Sequence, residues 1–233
     1  MTKDDFFSEV KDTLLDQFYP LACNGCQQLL VENEILLCTY CLLDLPFTHW
    51  HLVKENPLEK KLLGRIPLKK GTSFLHFSKN SITQQIIHQI KYQGQFELAR
   101  ILGRMHAIEL KKTNWDAHID LIIPLPLHPK KLAKRGYNQS FHYAKGLSEK
   151  FNIPVNTNLL SRVKHGETQT LKNRIERMLN IDEAFQCPKF KVSNVLLVDD
   201  VATSGATLEQ AALAILKDNP FSRINIATLA AGN

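Results

Sequence analysis

One stretch near the carboxyl end of the sequence constrains the fold more than any other. Residues 195–211 read VLLVDDVATSGATLEQA, in which four apolar residues run directly into two aspartates. A strand that is apolar at every position is buried on both faces, as in parallel sheets that helices cover. Because a buried carboxylate is costly unless it has a partner, the two acids at the end of this strand indicate a binding site.

Helical and strand-like patterns alternate along most of the remaining chain. Apolar spacing predicts helices between Ser81 and Gly94 and over 96–110, 138–151 and 206–217. Apolar runs predict strands at 72–77, within 119–127, at 194–200 and at 224–230. We therefore expect an α/β fold with a parallel sheet and helices on both faces. Ligands of such sheets bind beyond the carboxyl ends of the strands, where the loops after Ile123 and Val198 lie.

The loop that follows the two aspartates offers acceptors for hydroxyl groups and donors for an anion. Because strand side chains alternate between faces, Asp199 and Asp200 are expected at the rim of a strand-to-helix turn and not as an acid–base pair around one bond. The N–H groups of residues 203–207 and the following helix N-terminus suit a phosphate. No Walker lysine follows Gly205, which argues against a nucleoside-triphosphate P-loop. A ribose 5-phosphate would use both features, whereas the alternative is an ordinary turn.

Four of the five cysteines form two matched C-x-x-C pairs. They are Cys23, Cys26, Cys38 and Cys41. Eleven residues separate the pairs, a little fewer than usual for zinc sites with four thiolates. Gly25 permits a tight turn within the first pair, and segments 29–31 and 35–37 predict the strands of a hairpin between the pairs. Because thiolates fill all four ligand positions, the expected zinc is structural and not catalytic; the alternative is that the cysteines are unrelated.

Composition and charge set broad limits on location and partners. The chain has 233 residues, 44% of them hydrophobic, and a formal net charge of +6. This basic excess favours phosphates or nucleic acid as partners, although a basic surface without such a role fits equally well. No apolar run reaches the roughly 18 residues of a membrane helix, and the acids among residues 1–20 do not fit a secretory signal. We expect a cytoplasmic protein without a membrane span.

The sequence divides into three predicted parts. Residues 1–20 have the apolar spacing of an amphipathic helix that packs on the rest of the chain, with docking on a membrane or a partner as the alternative. Residues 21–50 contain the four-cysteine module. Residues 51–233 contain the α/β domain.

Residues 195–211 resemble the phosphoribosyl pyrophosphate (PRPP) motif of type I phosphoribosyltransferases, an apolar run with two acids and a hydroxyl–glycine loop. Three further blocks precede it: IIHQIKYQGQFELARILGRM at 86–105, DLIIPLPLHPKKLAKRGYNQS at 120–140 and SRVKHGETQTLKNRIERMLNIDEAF at 161–185. Together with the four cysteines, these blocks are similar to the ComF family of competence-associated proteins. The resemblance implies a phosphoribosyltransferase-like parallel sheet with helices on both faces, preceded by a small zinc module.

The resemblance also implies roles for individual residues. Asp199 and Asp200 would be the catalytic acids that bind the ribose. The PRPP- and phosphate-binding residues would be Val201, Ala202, Thr203, Ser204, Gly205, Ala206 and Thr207. The candidates on the pyrophosphate side would be Leu125, Lys134, Arg135, Asn138, Gln139, Arg162, Lys164, Gln169 and Arg177. The last four belong to a basic segment, 161–180, that would close over the substrate; the alternative is a solvated helix.

Two classes of function remain open. In the first, the protein is a phosphoribosyltransferase that uses PRPP with magnesium, which would bridge pyrophosphate and ribose oxygens and keep most of its water. Arginine and lysine side chains would stabilise the leaving pyrophosphate. In the second, a non-catalytic protein of DNA uptake binds single-stranded DNA or a helicase partner through the zinc module and the basic surface. Its PRPP site would then be vestigial or regulatory, and the sequence identifies no acceptor for a transfer reaction.

Overall fold

A parallel sheet of four strands lies at the centre of the described part of the chain. The computed structural model describes residues 21–162 and 184–232. The described strands are β1 (Leu68–His76), β2 (Leu121–Pro124), β3 (Ser161–Arg162), β4 (Phe185–Gln186), β5 (Asn194–Ala202) and β6 (Arg223–Ala231). The central sheet has the order β1-β6-β5-β2 with parallel pairing throughout, whereas β3 and β4 form a separate antiparallel pair. The prediction of a parallel sheet is therefore confirmed.

Helices connect these strands, and most of them were predicted from apolar spacing. The described helices are α1 (Thr39–Leu43), α2 (Pro57–Leu62), α3 (Ile82–Tyr92), α4 (Phe96–Lys111), α5 (Pro129–Arg135), α6 (Gln139–Phe151) and α7 (Ala206–Asp218). The side chains of Ser81 and Asn138 cap α3 and α6 by accepting hydrogen bonds from the N–H groups of Gln84 and Ser140. Such caps satisfy N–H groups that have no partner inside the helix, so these helices begin at the predicted places.

Strand β5 is buried on both faces because helices cover the sheet from two sides. Leu196 and Val198 belong to a core that includes side chains of α3, α4 and α6. Val195 and Leu197 belong to a second core that includes side chains of α2 and α7. Each aliphatic side chain that is fully buried contributes roughly 1.5–3 kcal/mol to folding. This two-sided burial accounts for the uninterrupted apolar run in the sequence.

Two glycines allow α4 and α6 to approach each other closely. A Cβ atom at Gly103 would overlap the carbonyl oxygen of Tyr143, and one at Gly146 would overlap the carbonyl oxygen of Arg100. Only a residue without a side chain fits such a contact between helix backbones. The contact fixes α6 beside α4. At the amino-terminal end of α6, the hydroxyl of Ser140 donates to Asp199 near the carboxyl end of β5.

The segments between the two cysteine pairs do not form the predicted hairpin. In place of strands at 29–31 and 35–37, the structure has turns and bends, and Leu29 instead forms a β-bridge with Ala22 across the first cysteine pair. Leu30, Leu36 and Leu37 are half-buried and pack against the cysteine cluster or the main core, whereas Leu29, Val31 and Ile35 are exposed. The two segments therefore share no continuous buried face of the kind that stabilises paired strands, and the prediction of a hairpin was wrong.

The cysteine module is joined to the edge of the sheet. Phe47 forms an antiparallel bridge with Leu75 of β1, and the N–H of Thr48 donates to the carbonyl of Phe74 at 3.0 Å. These contacts attach the segment that follows the cysteine module to the central sheet.

Some predictions lie outside the described residues. They include the helix at 1–20 and the part of the basic segment from residue 163 onward. The divisions of the chain after residues 20 and 50 stay predictions. Across the two described ranges, every helix is too short or too polar to span a bilayer.

Candidate functional site

The two aspartates lie in the last part of β5 and contact different helices. The carboxylate of Asp199 accepts hydrogen bonds from the hydroxyl of Ser140 at 2.9 Å and from the N–H of Asp200 at 2.8 Å. The side chain of Asp200 is only 8% exposed, and its Oδ2 lies 2.8 Å from the ammonium nitrogen of Lys91. Strand β5 continues through Ala202, so the acids stand within the strand and not in the loop beyond it.

Burial makes the charge of this acid pair costly. Burial and the neighbouring charge of Asp200 raise the pKa of Asp199 from 3.8 to about 7, although the hydrogen bonds from the Asp200 N–H and Ser140 and the charge of Lys91 oppose this change. The adjacent cation and hydrogen-bond donors are the compensation that a buried carboxylate requires. The arrangement can accept further hydrogen bonds from hydroxyl groups of a ligand.

A short loop between β5 and α7 follows the acids, and we call residues 203–205 the β5–α7 loop. Gly205 has a φ of +77° and forms the amino-terminal cap of α7, a conformation that glycine adopts at low cost. Within the described residues, the N–H groups of Ser204 and Gly205 have no hydrogen-bond acceptor. Successive N–H groups at a helix N-terminus form a site for an anion.

The structure distributes the predicted phosphate-binding residues over three elements. Val201 and Ala202 belong to β5, where they are paired with β6. Thr203, Ser204 and Gly205 form the β5–α7 loop, and Ala206 and Thr207 begin α7. The exposed hydroxyl residues Thr203, Ser204 and Thr207 therefore lie at the carboxyl end of β5.

The loop that follows β2 is hydrogen-bonded to β5 at the same carboxyl end of the sheet. The N–H of Leu125 donates to the carbonyl of Val198 at 2.8 Å, and the carbonyl of Leu125 accepts a hydrogen bond from the Asn138 side chain at 2.9 Å. Gln139 is buried and accepts a hydrogen bond from the guanidinium of Arg135. Leu125 and Asn138 are thus bonded to β5 in one network, which Arg135 joins only through Gln139, the chain neighbour of Asn138.

The other predicted pyrophosphate-side residues do not belong to that network. Lys134 is exposed in the last turn of α5. The guanidinium of Arg162 stacks on the ring of Phe185 at 5.0 Å, on the separate β3–β4 sheet. Lys164, Gln169 and Arg177 lie outside the described residues.

Two residues at the site, Lys91 and Ser140, had no predicted role. Lys91 lies at the end of α3, four residues after the buried Ile87, and it therefore occupies the helix face that carries the apolar stripe. A lysine at such a position is a signal that could have been noticed. Ser140 had no comparable signal, because only the packing of α6 against β5 brings its hydroxyl to Asp199.

The four predicted cysteines form a second candidate site. Their sulfur atoms all lie within 4.8 Å of one another, and the Sγ atoms of Cys26 and Cys38 are 3.8 Å apart. A tetrahedral zinc with bonds of about 2.3 Å separates its sulfur ligands by about 3.8 Å. The cluster could therefore hold a metal ion of this kind, as the sequence predicts.

Backbone N–H groups already prepare this cluster for negative charge. The N–H groups of Gly25 and Cys38 donate to the sulfur of Cys23 at 3.3 and 3.2 Å. Burial would raise the pKa of Cys23, but these and other backbone donors lower it to about 7. Burial and the neighbouring thiols raise the pKa of Cys41, and a divalent cation among the sulfurs would lower it.

A comparison with protein families places the acid pair in a known kind of domain. Residues 138–233 match a family model described as phosphoribosyl transferase domain. The matched range begins at the cap of α6 and includes β5, the β5–α7 loop and α7. It leaves out the cysteine cluster, α3 and the loop that follows β2.

Three relatives extend the similarity beyond that domain. Competence protein F of Haemophilus influenzae is 30% identical over 198 residues, which cover 81% of either chain. DNA utilization protein YhgH of Escherichia coli K12 is 26% identical over 200 residues, or 84% of either chain. Competence protein ComFC of Bacillus subtilis is 26% identical over 155 residues, which cover 66% of this chain and 61% of that protein.

Replacement of Asp199 by asparagine tests the electrostatics of the acid pair. Because the folded-state pKa is about 7 and the ordinary value is 3.8, folding becomes less favourable as the pH rises through this window. Asp199→Asn should therefore gain stability relative to the wild type between about pH 4 and about pH 7, with a constant difference above. Thermal unfolding of both proteins across this range measures the difference, and a difference that does not vary with pH would contradict the burial of this charge.

Proposed function

Because the chain belongs to the ComF family of competence-associated proteins, we propose that it acts in DNA uptake and that its Asp199–Asp200 site binds PRPP with magnesium or another ribose 5-phosphate ligand. The observation that carries this proposal is the position of two carboxylates near the end of β5, separated only by Val201 and Ala202 from a loop whose Ser204 and Gly205 N–H groups have no acceptor among the described residues. The names of the relatives, competence proteins and a DNA utilization protein, support the link to DNA uptake.

The acid pair would bind the ribose through its hydroxyl groups. Among the described residues, Asp199 uses Oδ1 for its two hydrogen bonds, so that Oδ2 is available to a ligand hydroxyl. Asp200 would accept a second hydroxyl beside its ion pair with Lys91. Hydrogen bonds to charged acceptors are stronger than neutral ones, which favours a ligand with adjacent hydroxyl groups.

The β5–α7 loop would bind the 5-phosphate one step further along the chain. The N–H groups of Ser204 and Gly205 and the amino-terminal turn of α7 are donors for its oxygens. Thr203, Ser204 and Thr207 are exposed and add hydroxyl donors. Ribose hydroxyls and phosphate would thus be held by adjoining parts of one strand–loop–helix unit.

The pyrophosphate of PRPP would extend toward α5 and the start of α6. Arg135 is held by Gln139 and by the ring of Tyr92, whose centroid is 5.4 Å from the guanidinium carbon. Arg135 and Lys134 would stabilise the charge that develops on pyrophosphate as its bond to ribose C1 breaks. Magnesium, when bound, would neutralise part of that charge.

Neutral variants of the acid pair test the site. Asp199→Asn and Asp200→Asn should each weaken PRPP binding about 10- to 100-fold, because a hydrogen bond to a charged group contributes about 1.5–3 kcal/mol. Asp116→Asn, which removes the same charge from the turn after α4, should leave binding unchanged. Isothermal titration with and without magnesium measures these affinities, and equal binding by all four proteins would exclude this site.

The same ligand distinguishes a transferase from a binding protein. The wild type is mixed with PRPP, magnesium and candidate bases, and pyrophosphate release is followed. Release that depends on a base and disappears in Asp199→Asn identifies a phosphoribosyltransferase. Tight binding without release identifies a PRPP-binding protein.

We further propose that the cysteine cluster holds a structural zinc ion. The spacing of the sulfur atoms supports the tetrahedral geometry that zinc prefers. The module is small and exposes Leu29, Val31 and Ile35, so its apolar core is limited to residues around the cysteines. A metal ion would supply the stability that such a small core lacks.

Metal content tests this second proposal. Elemental analysis of the purified full-length protein should find about one zinc per chain. Cys41→Ser should lose the zinc and unfold at a lower temperature, because metal binding is coupled to folding. Cys187→Ser removes another buried thiol and should retain the metal. A wild type that cannot be loaded with zinc would refute the proposal.

A second candidate function, single-stranded DNA binding, is favoured by an aromatic and basic surface beside the site. Tyr92 is 62% exposed and Phe96 is 42% exposed, at the junction of α3 and α4. The ring of Phe96 packs against His142 at 4.5 Å, and Arg135 lies over Tyr92. Exposed rings next to cations provide stacking platforms for the bases of single strands.

Removal of one ring tests this second function. Tyr92→Ala should weaken binding of a single-stranded oligonucleotide about tenfold, which is within the range for loss of one base–aromatic stack. Phe221→Ala removes a ring that is 93% exposed. Phe221 lies just before β6, at the amino ends of the strands and so opposite to the site, and its replacement should have no effect. Fluorescence anisotropy at increasing salt measures both affinities. Absence of binding by the wild type at low salt would exclude this function.

A further inference from the structure

We infer that Lys61 and Arg65 are positioning residues that hold the β5–α7 loop with its N–H groups directed toward the ligand. Lys61 belongs to α2, and Arg65 follows that helix. The inference rests on the proposed phosphate-binding function of the loop, and it adds a role for residues outside the matched phosphoribosyl transferase domain.

Two cations bind consecutive carbonyl groups of the loop. The ammonium group of Lys61 donates to the carbonyl of Thr203 at 3.0 Å, and Arg65 Nη1 donates to the carbonyl of Ser204 at 3.0 Å. Lys61 also donates to the carbonyl of Gly232, which follows β6. The loops after β5 and β6 are therefore joined to α2 by one lysine.

The planarity of the peptide group turns these contacts into an orientation of the N–H groups. In a trans peptide, the carbonyl of one residue and the N–H of the next point in opposite directions, and the described residues contain no cis peptide. Carbonyls of Thr203 and Ser204 that face Lys61 and Arg65 therefore direct the N–H groups of Ser204 and Gly205 away from α2. The same contacts leave these donors available to an anion.

Packing around Gly205 supports the same arrangement. A Cβ atom at Gly205 would lie 3.1 Å from Leu62 Cδ2, so the loop backbone lies directly against α2. Leu62 is fully buried. Arg65 also forms an ion pair with Glu209 in the first turn of α7, which links α2 to the helix that follows the loop.

Helix α2 is itself fixed to the edge strand of the sheet. The side chain of Asn56 caps α2 and donates to the carbonyl of Gly71 at 2.8 Å. Glu59 accepts the N–H of the same glycine at 2.8 Å. Two hydrogen bonds to β1 therefore hold the helix that carries Lys61, and a fixed support is what a positioned loop requires.

Methionine variants test the two positioning residues. Lys61→Met and Arg65→Met keep a long side chain but remove the donors, and each should weaken binding of PRPP with magnesium about tenfold or more. Lys60→Met is the matched control, because Lys60 is exposed on the same helix and loses the same charge. Its affinity should change less than about twofold, since exposed charges are screened by salt. Lys61→Arg should restore most of the affinity.

The amide resonance of Gly205 gives a readout that does not depend on PRPP. In the ligand-free protein, this resonance should move in Lys61→Met and Arg65→Met but not in Lys60→Met. Titration with inorganic phosphate should shift it in the wild type and much less in the two variants. An unchanged resonance, or full affinity in both variants, would overturn the inference. Failure of the wild type to bind phosphate or PRPP, with the ligand-free resonance moving as expected, would refute the proposed function and leave the loop support intact.

Discussion

The burial of β5 between two helical layers is the constraint on which the rest of the structure depends. The strand is apolar because both of its faces are covered, and its last part carries two carboxylates that would be unstable in such surroundings without partners. Lys91 and Ser140 supply those partners from α3 and α6. The need to compensate the acids therefore determines which helices must meet at the carboxyl end of this strand.

The compensation is incomplete, and this is a property expected of a binding site. The pKa of Asp199 is raised to about 7 because burial and the charge of Asp200 outweigh the stabilising contacts. Functional sites commonly retain such local instability, which a ligand then relieves. A ligand with hydroxyl groups would add the hydrogen bonds that the acid pair lacks. Asp199 has one carboxylate oxygen without a partner among the described residues.

The site is assembled from more of the chain than the domain match covers. The matched range, 138–233, includes the acids and the β5–α7 loop. Lys91 comes from α3, Leu125 from the loop after β2, and Lys61 from α2. These residues respectively neutralise the acids, fix the adjoining loop and support the backbone of the β5–α7 loop. Residues before the matched range thus complete the geometry on which the proposed phosphate site depends.

The sequence by itself determined the local elements and the main carboxylates of the site. The spacing of apolar residues, the helix caps and the loop with two acids and a glycine are all local features of the sequence. They were therefore enough to predict β5, β6, α3, α4, α6, α7 and the cysteine cluster. The hairpin between the cysteine pairs was predicted wrongly, because Leu30, Leu36 and Leu37 pack against the cysteine cluster or the main core while Leu29, Val31 and Ile35 are exposed, so that the two segments share no buried face. Only the tertiary structure decided the partners of the site. Lys61 and Thr203 are 142 residues apart, and Ser140 and Asp199 are 59 apart. Contacts over such separations follow from how helices pack on the sheet, which no local pattern records.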